Sequence, residues 1–433
     1  MRLPGSVAHA FRIALSGRPG PVVLALPEDM LIARADVVDA PYVEAIAAAP
    51  SRDDVLDVER RLRNAQRPLV IVGGSRWDRD ALEALRHFAE ASQLPVACAF
   101  RNQDIFDNRH PNYAGDVGIG INPKLAARVR DADVLLVVGE RLGETTTGGY
   151  TLLEVPVPKQ TLIHVHPGAD ELGRVYQPAL AIAATPSAFL TAIDGDAARS
   201  VATSGSAAAA HAEYEVWRAP HPVPGGVDLW RIVQWLDERL PNDVIMTNGA
   251  GNFATWVHRL FHYGGGRKQL APYSGSMGYG VPTAVAAKAL HPDRMVVSWN
   301  GDGCFLMNGQ ELATAFQYRL AVVFVVIDNG MYGTIRMHQE REYPGRVSGT
   351  DLVNPDFAQL ARAYGAHGET IVATDEFAPA FERALSFDGP STLHVKFDSQ
   401  ALTLDAPLDG LREQGRARKR RPSPQHKSPL RRG

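Results

Sequence analysis

Residues 295–330 have the sequence MVVSWNGDGCFLMNGQELATAFQYRLAVVFVVIDNG. They contain two short apolar runs, 295–298 and 322–327, and each run is followed by a polar segment that contains glycine. A helical pattern at 309–318 lies between the two runs. A helix between two buried strands is typical of the crossover connection in a parallel sheet. Both strands then end at the same edge of the sheet, which is where α/β proteins bind their ligands.

The two polar segments carry oxygen ligands at that edge. Asp302 lies in N-G-D-G after the first run, and Asn329 lies in D-N-G after the second. The glycines leave backbone N–H groups free to approach phosphate oxygens. Mg²⁺ prefers oxygen ligands and is commonly held by a few protein groups together with phosphate, so the pair predicts a magnesium-diphosphate site. Each segment taken alone is more typical of an ordinary turn. Their spacing by one crossover reverses this preference and favours the site.

The same alternation of helical patterns and short apolar runs occurs twice along the chain, on either side of a stretch rich in alanine, proline and glycine. We therefore predict the α/β class, with two complete parallel-sheet domains. Residues 1–34 precede these domains, and a family resemblance implies that they are the C-terminal remnant of a third. The remnant contains a helix at 7–15 and a buried strand at 22–26. The predicted segments are 1–34, the remnant; 35–52, a linker; 53–196, a central α/β domain; 197–226, a second linker; 227–405, the diphosphate- and magnesium-binding domain; and 406–433, a disordered basic tail.

Composition excludes several classes of protein. The chain has 433 residues, 45% of them hydrophobic and 21% charged, with a formal net charge of -3, which does not suit a nucleic-acid binder. Its two cysteines, Cys98 and Cys304, cannot form a disulfide framework or a multi-cysteine zinc site, so a reducing cytoplasm is expected. The apolar runs are far shorter than the roughly 20 residues of a membrane helix. The N-terminus lacks the apolar core and cleavage site of a signal peptide.

The order GDG, then about 25 residues, then Asn resembles the signature of thiamine-diphosphate enzymes. Over almost its whole length the chain resembles the acetolactate synthase superfamily. The resemblance implies thiamine diphosphate and Mg²⁺ as cofactors, with Asp302, Asn329 and the backbone carbonyl of Met331 as the metal ligands. Other residues that it places at the cofactor are Gly301, Gly303, Cys304, Tyr332 and Gly333.

Two further segments carry the resemblance. SGSMGYGVPTAVAA (274–287) is similar to the family's G-x-M-G-x-G-x-P-x-A segment. This implies that the Gly275 carbonyl accepts from the cofactor's 4'-amino group and that Met277 supports its two rings, although Met277 taken alone fits core packing. GAGNFATW (249–256) is similar to the family's diphosphate-contacting loop. The residues thereby placed near the phosphates are Gly251, Asn252 and Phe253.

Residues 5–30 resemble the last helix, turn and strand of a pyrimidine-binding domain of roughly 150 residues. The resemblance implies that the activating glutamate of that domain is absent from this chain, so no catalytic residue is predicted. Glu28, at the end of the predicted strand, is expected to be solvated or to pack between domains. A mis-called start or shifted frame, a split enzyme and a decayed gene could each explain this beginning. The first is favoured, because a functional split would fall in a linker.

The implied activity is that of a thiamine-diphosphate- and magnesium-dependent carboligase or decarboxylase of 2-oxo acids, assembled as a homodimer or homotetramer. A non-catalytic fragment that binds thiamine diphosphate is the alternative. His338 stands where acetolactate synthases of the family usually have tryptophan, which implies a different acceptor or a simple decarboxylase. His338, Gln339 and Glu340 either face the substrate or form a solvated helix surface.

Some members of the family hold FAD in the central domain. The segment VGGSRWD (72–78) lacks the G-x-G-x-x-G pattern of dinucleotide-binding loops. His166 stands where flavin-containing relatives carry an acidic residue. Both features favour a central domain without flavin.

Overall fold

The computed structural model describes residues 3–193 and 206–420. The chain divides into two compact units, Met1–Trp217 and Arg218–Gly433. Part of the second predicted linker (194–205) and the end of the predicted tail (421–433) lie outside the described residues. Within the described part, no helix is both long and apolar enough to cross a membrane.

The first unit contains a six-stranded parallel sheet with the strand order β3-β2-β1-β4-β5-β6. Its strands are β1 Pro68–Val72, β2 Val96–Ala99, β3 Tyr113–Val117, β4 Val134–Val138, β5 Thr161–His166 and β6 Leu180–Ala183. Its helices are α1 Leu3–Leu15, α2 Glu28–Ile32, α3 Arg52–Arg63, α4 Arg79–Ser92, α5 Pro123–Asp131, α6 Pro186–Ala192 and α7 Ser206–Trp217, with short 3-10 helices at Gln103–Ile105 and Ala169–Glu171.

Strand β1 illustrates why this sheet forms. Its sequence is PLVIV, and all of its residues are buried. Val70 and Val72 join one hydrophobic core, while Leu69 and Ile71 join a second core on the opposite face. A continuous apolar run is what a parallel strand needs when helices cover both faces of the sheet.

The second unit contains another six-stranded parallel sheet, with the order β11-β12-β10-β9-β7-β8. Its strands are β7 Ile245–Asn248, β8 Lys268–Leu270, β9 Val296–Gly301, β10 Val322–Asp328, β11 His367–Ile371 and β12 Ser391–Lys396. Its helices are α8 Leu229–Arg239, α9 Ala254–Leu260, α10 Gly280–Leu290, α11 Asp302–Asn308, α12 Leu312–Gln317, α13 Gly333–Glu342, α14 Phe357–Ala363, α15 Thr374–Ser386 and α16 Leu408–Arg420, with a 3-10 turn at Gly309–Glu311. The two sheets confirm the predicted α/β class.

The crossover predicted between 295 and 330 is present. Strands β9 and β10 are parallel neighbours, and Gly301 lies opposite Ile327. The connecting helix begins earlier than predicted, because α11 starts at Asp302. The G-D-G segment is therefore the junction between a strand and a helix, and its interpretation as an isolated turn is wrong.

The strand predicted at 22–26 does not form. These residues have no regular secondary structure, and Val23 is 92% exposed. An apolar segment becomes a strand only when a neighbouring strand satisfies its backbone N–H and C=O groups. None of the described strands pairs with 22–26.

Two segments predicted to lack structure are helical. Helix α7 lies within the predicted linker 197–226 but packs on β3, where Tyr214 meets the ring of Tyr113 edge-on at 4.8 Å. Helix α16 lies within the predicted disordered tail, yet Leu408 and Leu411 are buried in a small core. In both segments the helix is held by contacts with residues far away in the sequence, which composition does not show.

Candidate functional site

The polar segments after β9 and β10 contact each other directly. The N–H of Gly330, which follows β10, donates to Asp302 Oδ2 over 2.9 Å. Gly330 has a φ of +68°, a left-handed conformation that glycine adopts without strain. The crossover therefore brings the G-D-G and D-N-G segments together at one edge of the sheet.

The carboxylate of Asp302 is nearly buried, with 4% of the residue exposed. Its Oδ1 accepts from the N–H of Gly303 over 2.8 Å, and its Oδ2 also accepts from Asn354 Nδ2 over 2.8 Å. Burial raises the pKa of Asp302 to about 6, and the neighbouring charge of Asp328 adds to this increase. A cation beside Asp302 would stabilise the ionised form.

Asp328, the last residue of β10, lies in a different electrostatic environment. His394 Nε2 and Lys396 Nζ, both on β12, lie 2.8 and 2.6 Å from its Oδ2. Burial acts to raise the pKa of Asp328, but the hydrogen bonds from His394, Lys396 and Asn354 outweigh burial and lower it. The sequence analysis missed these partners, since they come from a strand and a loop later in the chain and no local pattern marks them.

A cavity of ≈ 220 Å³ opens at this edge of the sheet. All the residues that the resemblance places at the cofactor line it: Gly251, Asn252, Phe253, Gly275, Met277, Gly301, Asp302, Gly303, Cys304, Asn329, Met331, Tyr332 and Gly333. Their contact with a cofactor stays a prediction. Lining residues that the sequence analysis missed are Ala250, Trp256, Ile327, Thr334, Ile335, Phe397, Ala401 and Leu402.

The loop before α9 is held against α13. The N–H of Asn252 donates to Thr334 Oγ1 over 3.0 Å, and the Thr334 hydroxyl donates to Asn252 Oδ1 over 3.0 Å. Asn252 Nδ2 also donates to the carbonyl of Leu402 over 3.2 Å. The next residue, Phe253, lies so close to Gly301 that a Cβ there would be 2.5 Å from the ring. Glycine at 301 therefore allows the loop to approach the strand end.

The segment that contains Met277 borders the same cavity. Met277 is half-buried and lines the cavity. It therefore does not lie inside a hydrophobic core, which was the alternative position for this residue. The following Gly278 donates its N–H to Cys304 Sγ over 3.0 Å and accepts from Asn308 Nδ2 over 2.9 Å. These bonds connect the segment to α11.

His338, Gln339 and Glu340 of α13 were predicted either to face the substrate or to form a solvated helix surface, and the structure places them in three different environments. Glu340 is fully buried and bonded to Arg412 of α16 over 2.7 Å, so it faces neither substrate nor solvent. Gln339 bonds the backbone of Ser348 through both ends of its amide. His338 is exposed.

In the central domain, the loops that follow β1 and β4 lie close together. In its sheet the strand order reverses between β1 and β4, where dinucleotides bind in related architectures. A Cβ on Gly74, after β1, would lie 2.0 Å from the carbonyl oxygen of Gly139, after β4. The N–H of Gly74 is taken by Asn102 Oδ1 at 3.1 Å, and Trp77 donates to the Gly73 carbonyl at 2.8 Å. The loops after β1 and β4 therefore lie in close contact at this point of the sheet.

Comparisons with known proteins agree with this architecture. Residues 56–193 match the thiamine pyrophosphate enzyme central domain, and residues 249–395 match the C-terminal TPP binding domain. Acetolactate synthase isozyme 2 large subunit of Escherichia coli (strain K12) is 31% identical over 401 residues, which are 92% of this chain and 72% of that protein. The chain belongs to the acetolactate synthase family of thiamine-diphosphate enzymes.

Other members of the acetolactate synthase family show the same extent of similarity. The acetolactate synthase large subunit of Corynebacterium glutamicum is 28% identical and is covered over 63% of its length, with 88% of this chain aligned. The probable acetolactate synthase large subunit of Methanocaldococcus jannaschii is 28% identical, with 94% of this chain and 71% of that protein aligned. The cavity lies in the unit that contains the family's TPP binding domain.

Proposed function

We propose that the second unit binds thiamine diphosphate together with Mg²⁺ in this cavity, for acetolactate synthase-like chemistry on 2-oxo acids. The observation that carries the proposal is the convergence of separate segments. Asp302 follows β9, Asn329 follows β10, and Gly251 and Met277 come from two earlier loops, yet all four line one cavity. Membership of the family supports the same cofactor.

Asp302, Asn329 and the backbone carbonyl of Met331 would hold the metal. All three supply hard oxygen donors, which Mg²⁺ prefers. Within residues 3–193 and 206–420, no group of three or more His, Cys, Asp or Glu side chains is arranged to hold a metal ion. One carboxylate, two carbonyl oxygens and the phosphate oxygens of a ligand are therefore the donor set that the proposal requires.

Bound thiamine diphosphate would stabilise the negative charge that develops when a 2-oxo acid loses carbon dioxide, which is chemistry that carboligases and simple decarboxylases share. The residues of this chain bind the diphosphate and the metal at the loops of Gly251 and Asp302, and Met277 supports the rings. None of them is proposed to move the proton that activates the cofactor. Glu28 is exposed in the first unit, which suits a solvated carboxylate. Cofactor binding without turnover is therefore our second candidate function.

Isothermal titration calorimetry tests the binding site. Wild type should bind thiamine diphosphate with Mg²⁺ and lose most of that affinity in EDTA. Asp302→Ala should abolish the magnesium-dependent part, because it removes the carboxylate ligand. Asp375→Ala is the matched control, since Asp375 is 84% exposed on α15 and pairs only with exposed Arg231 among the described residues. Retention of magnesium-dependent binding by Asp302→Ala would overturn the ligand assignment.

A pyruvate assay separates the two candidate functions. Sustained release of carbon dioxide from pyruvate by the 433-residue chain, with thiamine diphosphate and Mg²⁺ added, would support the acetolactate synthase-like function, whereas cofactor binding without turnover would support the second candidate. Product analysis would then distinguish acetolactate from acetaldehyde. We further propose a homodimer or homotetramer, which light scattering can measure, and a cytoplasmic location, which suits the two buried thiols Cys98 and Cys304.

A further inference from the structure

Asn354 occupies a position that the sequence analysis did not single out. It lies in the loop between α13 and α14, and its side chain is half-buried. Its Nδ2 donates to Asp302 Oδ2 over 2.8 Å and to Asp328 Oδ1 over 2.7 Å. A side-chain amide nitrogen carries two hydrogens. One hydrogen is donated to Asp302, which follows β9, and the other to Asp328, which ends β10.

Asp328 is fully occupied by donors from the protein. Its Oδ1 accepts from Asn354 and from the N–H of Gly330 at 3.1 Å, and its Oδ2 accepts from His394 and Lys396. An ionised carboxylate offers about four acceptor sites. Asp328 therefore has no acceptor site left for a metal. Its hydrogen bonds with His394 and Lys396 of β12 fix its position.

Asp302 has one acceptor site to spare. Its Oδ2 accepts from Asn354 and shares the N–H of Gly330 with Asp328 Oδ1. Among the described residues, its Oδ1 accepts only from the N–H of Gly303. Because each oxygen has two lone pairs, the free lone pair is on Oδ1. Donation from Asn354 to Oδ2 thus determines which oxygen of Asp302 can bind a cation.

We propose that Asn354 is a positioning residue for the metal ligand Asp302: it ties the Asp302 carboxylate to the fixed carboxylate of Asp328 and directs Oδ1 to the cation. This inference rests on the proposed function, because it assumes that Asp302 binds Mg²⁺. Asp328 is the anchor of this link, and Asp302 is the end that would bind the cation. The groups that orient metal ligands in this way commonly change metal affinity when they are removed.

The test measures the Mg²⁺ concentration at half-saturation at a fixed concentration of thiamine diphosphate. Asn354→Ala should raise this midpoint by about 10- to 100-fold, the usual effect of removing a partner that orients a metal ligand. Excess Mg²⁺ should restore binding, with the affinity for thiamine diphosphate at saturating Mg²⁺ close to that of wild type. Val353→Ala is the neighbouring control, since the Val353 side chain is fully exposed, and it should leave the midpoint unchanged.

Asn354→Ser provides a second variant in case Asn354→Ala folds poorly. A hydroxyl can donate to one carboxylate only, so its midpoint should fall between those of wild type and the alanine variant. Circular dichroism establishes that each variant is folded. An unchanged midpoint in both folded variants would overturn the positioning role, and so would a loss of binding that excess Mg²⁺ does not restore. If wild type itself shows no magnesium-dependent binding, the proposed function fails and this inference fails with it.

Discussion

Replacement of Arg412 tests whether α16 is an integral part of the second unit. Arg412 Nη2 donates to Glu340 Oε1 over 2.7 Å, and the Glu340 side chain has no exposed surface. In Arg412→Ala, the hydrogen bond that Glu340 keeps within the described part of the chain is the one from the N–H of Gly345, at 2.8 Å. Removing one partner of a buried ion pair costs about 3–5 kcal/mol. Because the Gly345 bond remains and the Arg412 side chain is itself 29% exposed, we expect the lower end, about 3 kcal/mol.

Urea unfolding followed by tryptophan fluorescence measures this effect, since Trp230, Trp235, Trp256 and Trp299 all lie in the second unit. A loss of about 3 kcal/mol should lower the midpoint by roughly 1 M or more. Arg418→Ala is the matched control on the same helix. Arg418 pairs with Glu342, and both side chains are more than half exposed, so water screens the pair and its loss should leave the urea midpoint almost unchanged.

The pH dependence provides a second check. Hydrogen bonding to Arg412 lowers the pKa of Glu340 in the folded wild type. This pair therefore stabilises the fold above the ordinary pKa of glutamate, and the contribution is lost as the pH falls through the folded value. In Arg412→Ala the buried carboxylate is uncompensated, and protonation relieves it. The difference between variant and wild type should therefore shrink at low pH. Equal effects of Arg412→Ala and Arg418→Ala would refute a packed α16.

Three further predictions concern the other contacts. Gly74→Ala should destabilise the first unit by about 3 kcal/mol or more, because the new Cβ would lie 2.0 Å from the Gly139 carbonyl oxygen and φ is +73°; an unchanged thermal midpoint would contradict this. Burial lowers the pKa of His164 from 6.5 to about 4. The first unit should therefore lose stability on the order of 3 kcal/mol as the pH falls from about 6.5 to about 4. In urea titrations, His164→Gln should reduce this dependence of stability on pH. Thr334→Val should weaken thiamine diphosphate binding about tenfold in calorimetry, since two hydrogen bonds to Asn252 are lost, whereas Thr334→Ser should bind like wild type.

Much of the fold follows from local patterns. Continuous apolar runs such as 322–327 are sufficient to predict strands covered on both faces. A strand with polar side chains on one face could not be covered there without burying polar groups that lack partners. One helix between two such runs is sufficient to predict neighbouring parallel strands, and β9 and β10 are neighbours. The same logic fails at 22–26, where the apolar run exists but no described strand lies beside it.

The candidate site divides in a similar way. The sequence by itself determined that Asp302 and Asn329 lie at one edge of a sheet, since one crossover between parallel strands always returns the chain to the same edge. The tertiary structure alone decided which donors surround Asp302 and Asp328. Asn354 is 52 residues from Asp302, and His394 is 66 residues from Asp328. The burial of Glu340 against Arg412, 72 residues away, is of the same kind. Hydrogen bonds and ion pairs between distant residues depend on how the elements pack, and no periodicity or spacing along the chain encodes them.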